Sequence, residues 1–569
     1  MFKLRRFLKH YKKELVLGPF FKLLEAIFEL IVPVVMAKII DNGIGNNDSA
    51  YVWKMSGLIV VLGTCGLGFA LTCQFFAAKC AYGFGTELRN ELYKHINRLS
   101  HAEIDKFGTS SLITRVTNDT VLAQNGVNMF IRLAVRAPFL IIGAAVMAMM
   151  LDLKLSIVFL IAAPVITAII VWVMKKTVPM YKRIQKGLDK ISLLTRENLE
   201  GVRVIRAFSK QDEEKKKFNE ESQALAESSI IAGKISAILN PVTFMIMNLG
   251  IVAILWFGGI RVDTGHLTQG EITAFVNYMT QILLAMIVLA NLVVVFTKAA
   301  SSASRINEVF ETQPSIITGK DKAFDLNKPA IEFDNVSFEY PGAGDLSLEN
   351  ITFTLNRGEV LGVIGGTGSG KSTLANLVPR FYDISFGNVR IFGKDIKSYS
   401  LESLRKLIGV VPQKAALFSG TVADNMRWAK PDASEDDIIK ALKIAQAWEF
   451  VSKLPDGIHT HIEQGGKNLS GGQRQRLTIA RALVGNPPVV ILDDSMSALD
   501  YATDLALRKA IESELSDTAV IMISQRATTL QNANEILVLD DGKTAGFGTH
   551  SELLENCQEY LEIYNSQMS

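Results

Sequence analysis

Six stretches of about 20 consecutive apolar residues constrain this chain more than any other feature, because runs so long and so poor in charge suit a helix that crosses a bilayer. Read from the sequence, they cover about 15–40, 55–80, 125–150, 155–175, 236–260 and 272–297. All six lie ahead of about residue 300, and from about 330 onward the chain reads as a mixed α/β domain. At 569 residues it exceeds what one hydrophobic core holds, and 49% of it is apolar. The expected division is a membrane domain over 1–315, a linker over 316–330 and a second domain over 331–569.

Charge sets the orientation. Lys and Arg cluster before the first span (Arg5, Arg6, Lys12, Lys13), after the second (Lys79, Arg89, Lys94, Arg98) and after the fourth (Lys175, Lys176, Lys182, Arg183). The loops around Asn46, Asp152 and Asp263 are poor in positive charge, so the N-terminus, both long loops and the second domain are expected in the cytosol. The basic segment Lys3–Lys13 leads into an apolar run too long for a signal peptide, so the first helix is expected to stay as an anchor. The net charge of +3 gives no argument for a nucleic-acid partner. Cys65, Cys73, Cys80 and Cys557 have no metal-type spacing and read as free thiols.

The two long cytoplasmic loops keep helical periodicity, which predicts helices running well past the membrane surface. Their tips, read at Ser111–Asp119 and Glu200–Phe208, are either solvated hairpins or docking points for the second domain. Lys22, Glu25 and Glu29 share one face of the first span, and Arg132 and Arg136 lie in the third. Ionisable groups at that depth need a partner or a wet cavity, whether as structural pairs or as substrate contacts.

In the second domain the apolar strand Leu361–Ile364 runs into Gly365, Gly366, Thr367, Gly368, Ser369, Gly370, Lys371, Ser372 and Thr373, followed by a helix-forming segment. Strand, glycine loop and helix make a phosphate-binding P-loop: backbone N–H groups converge on phosphate oxygens, Lys371 neutralises them and Ser372 ligates Mg²⁺. A second apolar strand, Val489–Leu492, ends in Asp493 and Asp494. Asp493 suits the Mg²⁺ side of the site and Asp494 the polarisation of an attacking water, the alternative being a simple strand-to-loop turn. Gln413 brings an amide for Mg²⁺ or water, and Tyr340 is either an adenine platform or a core aromatic. Ser470, Gly471, Gly472 and Gln473 open a helix with donors for an anion, yet the P-loop already supplies a phosphate cradle, so this second one makes sense across a dimer interface.

These motifs resemble those of the ABC ATPase family, and with the six spans the whole chain resembles a bacterial exporter half-transporter of the multidrug type. The resemblance implies an all-α six-helix transmembrane domain followed by an α/β P-loop ATPase domain, in the cytoplasmic membrane, with ATP and Mg²⁺ as cofactors. It assigns Gly365–Thr373 to the Walker A loop, Gln413 to the Q-loop, Leu469–Gln473 to the signature, Asp493 to Walker B, Ser497–Asp500 to the D-loop and Tyr340 to the adenine-stacking position. Two positions depart from the pattern: Asp494 stands where the family has a catalytic glutamate, and Gln525 where it has a switch histidine. Asp494 is one methylene short and Gln525 takes up no proton, which points to a site that binds ATP and hydrolyses it slowly. With an intact signature beside it, the expectation is a heterodimer. A different half-transporter would complete the hydrolytic site, and the pump would export amphipathic drugs, dyes or antibiotics. A lipid or peptide exporter, an importer on the same fold and a homodimeric pump are the alternatives.

Overall fold

The computed structural model describes residues 2–568, which fold as two units: residues 1–97 with 110–311, and residues 98–109 with 312–569. The first unit is helical. Its principal helices are Lys12–Lys38, Ser49–Ile96, Thr109–Leu151, Ile157–Glu200, Gln211–Asp263 and Gln269–Glu311.

Five of these are long and apolar enough to cross a membrane; the helix Lys12–Lys38 is the exception. With 27 residues it rises about 40 Å, ample for a hydrocarbon core of about 30 Å. Lys22, Glu25 and Glu29 dilute its apolar character, and the structure pairs Lys22 Nζ with Glu25 at 2.6 Å. Elsewhere the membrane helices turn their apolar residues outward. Only 6% of the most apolar window of Ser49–Ile96 is buried within the chain, which is the inverse of a water-soluble core. Helix Ile157–Glu200, at 44 residues, rises about 66 Å and so extends far beyond the bilayer. Wide π-helical turns interrupt the regular winding at Ile39–Ile44, Arg115–Asp119 and Phe130–Ala134.

The first long loop departs from the sequence reading. Its short helix is His101–Phe107, closed at its start by a Ser100–Glu103 capping box and at its end by Gly108 at φ +75°. This segment packs within the second unit: His101 stacks on Phe381 with centroids 4.5 Å apart, and the Tyr382 hydroxyl donates to Asp105 at 2.6 Å. Ser111–Asp119, read as the tip, belongs to the membrane unit. Asp119 is fully buried there and accepts from Arg305 Nε at 2.7 Å and Ser302 Oγ at 3.0 Å, a long-range pairing that local periodicity does not reveal. In the second loop the short helix Val202–Ala207 buries none of its residues within the chain, and Leu199 and Phe208 beside it are more than 70% exposed.

The described residues of the second unit form twelve strands: β1 (Ile331–Phe338), β2 (Leu348–Leu355), β3 (Val360–Gly365), β4 (Phe386–Ile391), β5 (Lys394–Asp395), β6 (Ile408–Val411), β7 (Gly420–Thr421), β8 (His461–Ile462), β9 (Val489–Asp493), β10 (Ala519–Ile523), β11 (Glu535–Asp540) and β12 (Lys543–Gly548). One sheet has the order β2-β1-β4-β5 and is antiparallel. The larger has the order β12-β11-β3-β10-β9-β6, parallel except for the β11–β12 hairpin. Leu361, Val363 and Ile364 of β3, Val489–Leu492 of β9 and all of β10 are buried, as a parallel sheet covered on both faces requires.

Replacing Arg305 with Ala should strand the Asp119 carboxylate without its cation. Loss of about 3 kcal/mol of membrane-unit stability is expected, read as a lower unfolding temperature in detergent, with the double variant Asp119→Asn/Arg305→Ala recovering part of it.

Candidate functional site

The parallel register brings three strand ends side by side. β3 ends at Gly365, β10 at Ile523 and β9 at Asp493, with β10 between the other two, so the loops leaving them open along one edge of the sheet. The cavity there, about 570 Å³, is lined by Tyr340, Thr367, Gly368, Gly370, Lys371, Ser372, Thr373, Gln413, Asp493, Asp494 and Gln525. Gly365, Gly366 and Ser369 build the loop beneath it: the Lys371 ammonium donates to the carbonyls of Gly365 (2.9 Å) and Gly366 (2.5 Å) and to Ser369 Oγ (3.2 Å). Close approach explains two of the glycines. A Cβ on Gly365 would stand 2.1 Å from the Leu539 carbonyl, and Gly370, at φ +98°, would bring one within 2.7 Å of the Leu348 side chain.

The electrostatics suit an anionic ligand with a hard cation. Burial pushes the Lys371 amine below its ordinary pKa despite the attraction of Asp494 and Asp493. Burial likewise pushes Asp493 above the usual carboxylate range, and the Asp494 charge adds to this, while the Ser372 hydroxyl, donating at 3.1 Å, and Lys371 oppose it. A half-dry amine facing half-dry carboxylates gains from phosphate and a divalent ion together. Ser372 and Asp493 offer hard oxygen donors of the kind Mg²⁺ takes, and Gln413 stands beside them, donating to Asp494 at 3.3 Å. Among the described residues no group of three His, Cys, Asp or Glu forms a protein-only metal cage.

Asp494 follows β9 in the left-handed region, at φ +43°, with its N–H donating to the Ile523 carbonyl at 3.0 Å. Aspartate tolerates that conformation better than longer side chains. Tyr340 meets Phe338 and Tyr382 edge-on, at 4.8 Å and 5.1 Å between centroids, and its hydroxyl lies 3.2 Å from Thr373 Oγ1. Gln525 is exposed at the rim, its carbonyl accepting from Gln567 Nε2.

Ser470, Gly471, Gly472 and Gln473 are not part of this cavity wall. They begin helix Gly471–Leu483, where Ser470 and Gln473 form a reciprocal capping box and Gly471 stays exposed. Sequence reasoning missed Asp345, Ser347, Asp541 and Gly542, which also line the cavity. Asp541-Gly542 carries a hairpin-turn signal that locates the β11–β12 turn, but only the sheet order brings that turn to the nucleotide edge.

In the membrane unit, Arg136 donates to Glu29 at 2.7 Å, and both line a small cavity with Gln281. Arg132 reaches Asn128 at 3.5 Å.

Comparison with known proteins agrees with this architecture. Residues 15–286 match the ABC transporter transmembrane region and residues 348–497 the ABC transporter family. The chain is 37% identical to the uncharacterized ABC transporter ATP-binding protein YfiB of Bacillus subtilis, over 99% of its own length and 97% of that protein. It is 31% identical to the ATP-dependent lipid A-core flippase of Haemophilus influenzae, over 99% and 96%. A bacterial Atm1-family ABC exporter with ATP bound shares the fold, with a TM-score of 0.80, 23% identity and 98% coverage of both chains. An all-α transmembrane domain followed by an α/β P-loop ATPase domain, in a multi-pass inner-membrane protein with its ATPase domain in the cytosol, is thereby shown.

The expectation of a multidrug pump paired with a different half-transporter is overturned. Flippases named for a lipid match this chain from end to end, in Haemophilus influenzae and in two Vibrio species. The departures at Asp494 and Gln525, which beside an intact signature suggested an unlike partner, alter the chemistry of a site without specifying which chain stands opposite.

The lifted pKa of Asp493 has a measurable consequence. The folded chain is destabilised by ionising this carboxylate, fully so above the folded-state pKa and not at all below the unfolded one. Asp493→Asn should therefore melt higher than the parent near pH 7 in the absence of nucleotide, and the gap should close as the pH falls toward 4.

Proposed function

This chain belongs to the ABC transporter family, and from that premise we propose that it works as a homodimeric ATP-driven exporter whose cargo is a lipid or lipid-like amphiphile. The observation that carries the reading is the separation of its two anion-binding elements. The P-loop lines the nucleotide cavity, whereas Ser470–Gln473 begin an exposed helix start outside it. Two copies facing each other give each cavity the other copy's Ser470–Gln473, so a second identical chain completes both sites. The exposed tip around Val202–Ala207, flanked by Leu199 and Phe208, is a further surface that a second copy is suited to cover. The cargo class follows the flippases among the relatives and the apolar exterior of the membrane helices.

Within each site, the loop amides and Lys371 hold the phosphates, and Tyr340 presents its ring to the adenine. Ser372, Asp493 and Gln413 would hold Mg²⁺, which neutralises charge on the β and γ phosphates. Asp494 orients water for in-line attack and accepts its proton, with Gln413 fixing the carboxylate by its amide and Gln525 hydrogen-bonding at the rim without changing charge. In a homodimer both sites carry Asp494, so all turnover rests on that shorter carboxylate. ATP binding draws the two ATPase domains together, and the loop helices pass that closure to the membrane helices.

The chain purified without any other subunit should hydrolyse Mg-ATP, and Asp494→Asn should cut the rate by about a hundredfold or more. Lys371→Ala and Gly471→Asp should each be inactive alone. Mixed dimers of the two regain one intact composite site and with it measurable activity. No hydrolysis by the lone chain, or no recovery on mixing, would overturn the homodimer. In proteoliposomes the chain should move a fluorescent lipid between leaflets only with ATP.

A further inference from the structure

An apolar cavity of about 740 Å³ in the membrane unit lies between helices Ile157–Glu200 and Gln211–Asp263. Its walls are apolar throughout, with Ile161 and Val165 on one side and Leu249, Ala253 and Phe257 on the other. Only two of its lining residues are charged, Lys154 and Arg261, and both are cations. Both sit at the non-cytoplasmic end: Lys154 in the turn between the third and fourth crossings, Arg261 in the last turns of the helix ending at Asp263.

Outer loops of this chain are poor in basic residues, so the convergence of two cations on one cavity mouth is not a by-product of topology. Arg261 is anchored by a salt bridge to Asp152, whose other oxygen accepts from the Leu155 N–H at 2.7 Å. That bridge leaves donors of the guanidinium free, and its Nε is buried with no hydrogen-bond partner. Lys154 is exposed. The wall from Ile246 to Arg261 rises about 22 Å, enough to run from the bilayer midplane to the headgroup level of one leaflet, half of a core about 30 Å thick.

We propose that this cavity binds an anionic phospholipid of the outer leaflet, one acyl chain lying along the apolar groove and the phosphate held between Lys154 and Arg261. The occupant is a resident lipid, so the site is independent of which cargo the pump carries. A zwitterionic lipid fills the groove equally well but gains less at a mouth where Asp152 offsets Arg261 and Lys154 leaves a net positive charge, because its own ammonium opposes that charge. Asp152 already supplies one acid here, so the preference rests on Lys154 and on the guanidinium Nε that the salt bridge leaves without a partner.

The test is native mass spectrometry of the full chain in detergent, titrated in parallel with phosphatidylglycerol and phosphatidylcholine of identical acyl chains. Phosphatidylglycerol is expected to bind several-fold tighter. Lys154→Gln, a change at an exposed side chain, should weaken phosphatidylglycerol by about fivefold, the worth of one basic residue beside an anionic headgroup, and leave phosphatidylcholine unchanged. Ala253→Trp, which fills the groove, should weaken both lipids. Retained binding of a fluorescent ATP analogue checks that each variant is folded. Equal binding of the two lipids by the parent, or a preference untouched by both variants, would overturn the proposal. So would a dimer that Ala253→Trp splits into monomers still holding phosphatidylglycerol, since the groove would then be an interface between copies.

Discussion

Inside hydrocarbon every peptide group must find its hydrogen bond within its own segment, and the rest of this molecule is arranged around that demand. It forces six long helices, and once started these run on into water, because nothing at the membrane surface requires them to stop. It also dictates how charge is handled. Lys22 is paired with Glu25, Arg136 with Glu29, and Asp119, fully buried, with Arg305. In each case an ion that would be costly in a dry setting has a counter-ion supplied by a nearby turn or a distant helix.

The ATPase unit meets the opposite problem. Its central strands are dry on both faces, so polar function is confined to the edge where they end. Gly365 and Asp493 stand at the ends of β3 and β9, and β10 between them delivers Ser524 and Gln525. The charges gathered there are mutually uncomfortable: burial opposes ionisation of both Lys371 and Asp493. Stability is held back at this edge so that a nucleotide with its metal ion can supply what the side chains lack.

Where chemistry is local in the chain, the sequence was enough to read it. The glycine loop, Lys371 and the paired aspartates after a buried strand announce themselves within a few residues, and five apolar spans are equally plain. Where the determinant is distant, reading failed. Asp541 and Gly542 reach the nucleotide edge only through sheet order, and the loop tip placed at Ser111–Asp119 belongs to the membrane unit, with Asp119 buried on Arg305. The expectation of an unlike partner erred differently, by treating two altered side chains beside an intact signature as a statement about subunit composition.

One detail of the chain path bears on how the second unit is assembled. The polypeptide passes between them three times: into the segment Arg98–Thr109, back out of it, and again after Glu311. The helix His101–Phe107 is made long before the Phe381 and Tyr382 it packs on, so its unit reaches its final packing only after residues some 277 positions further along the chain have been added.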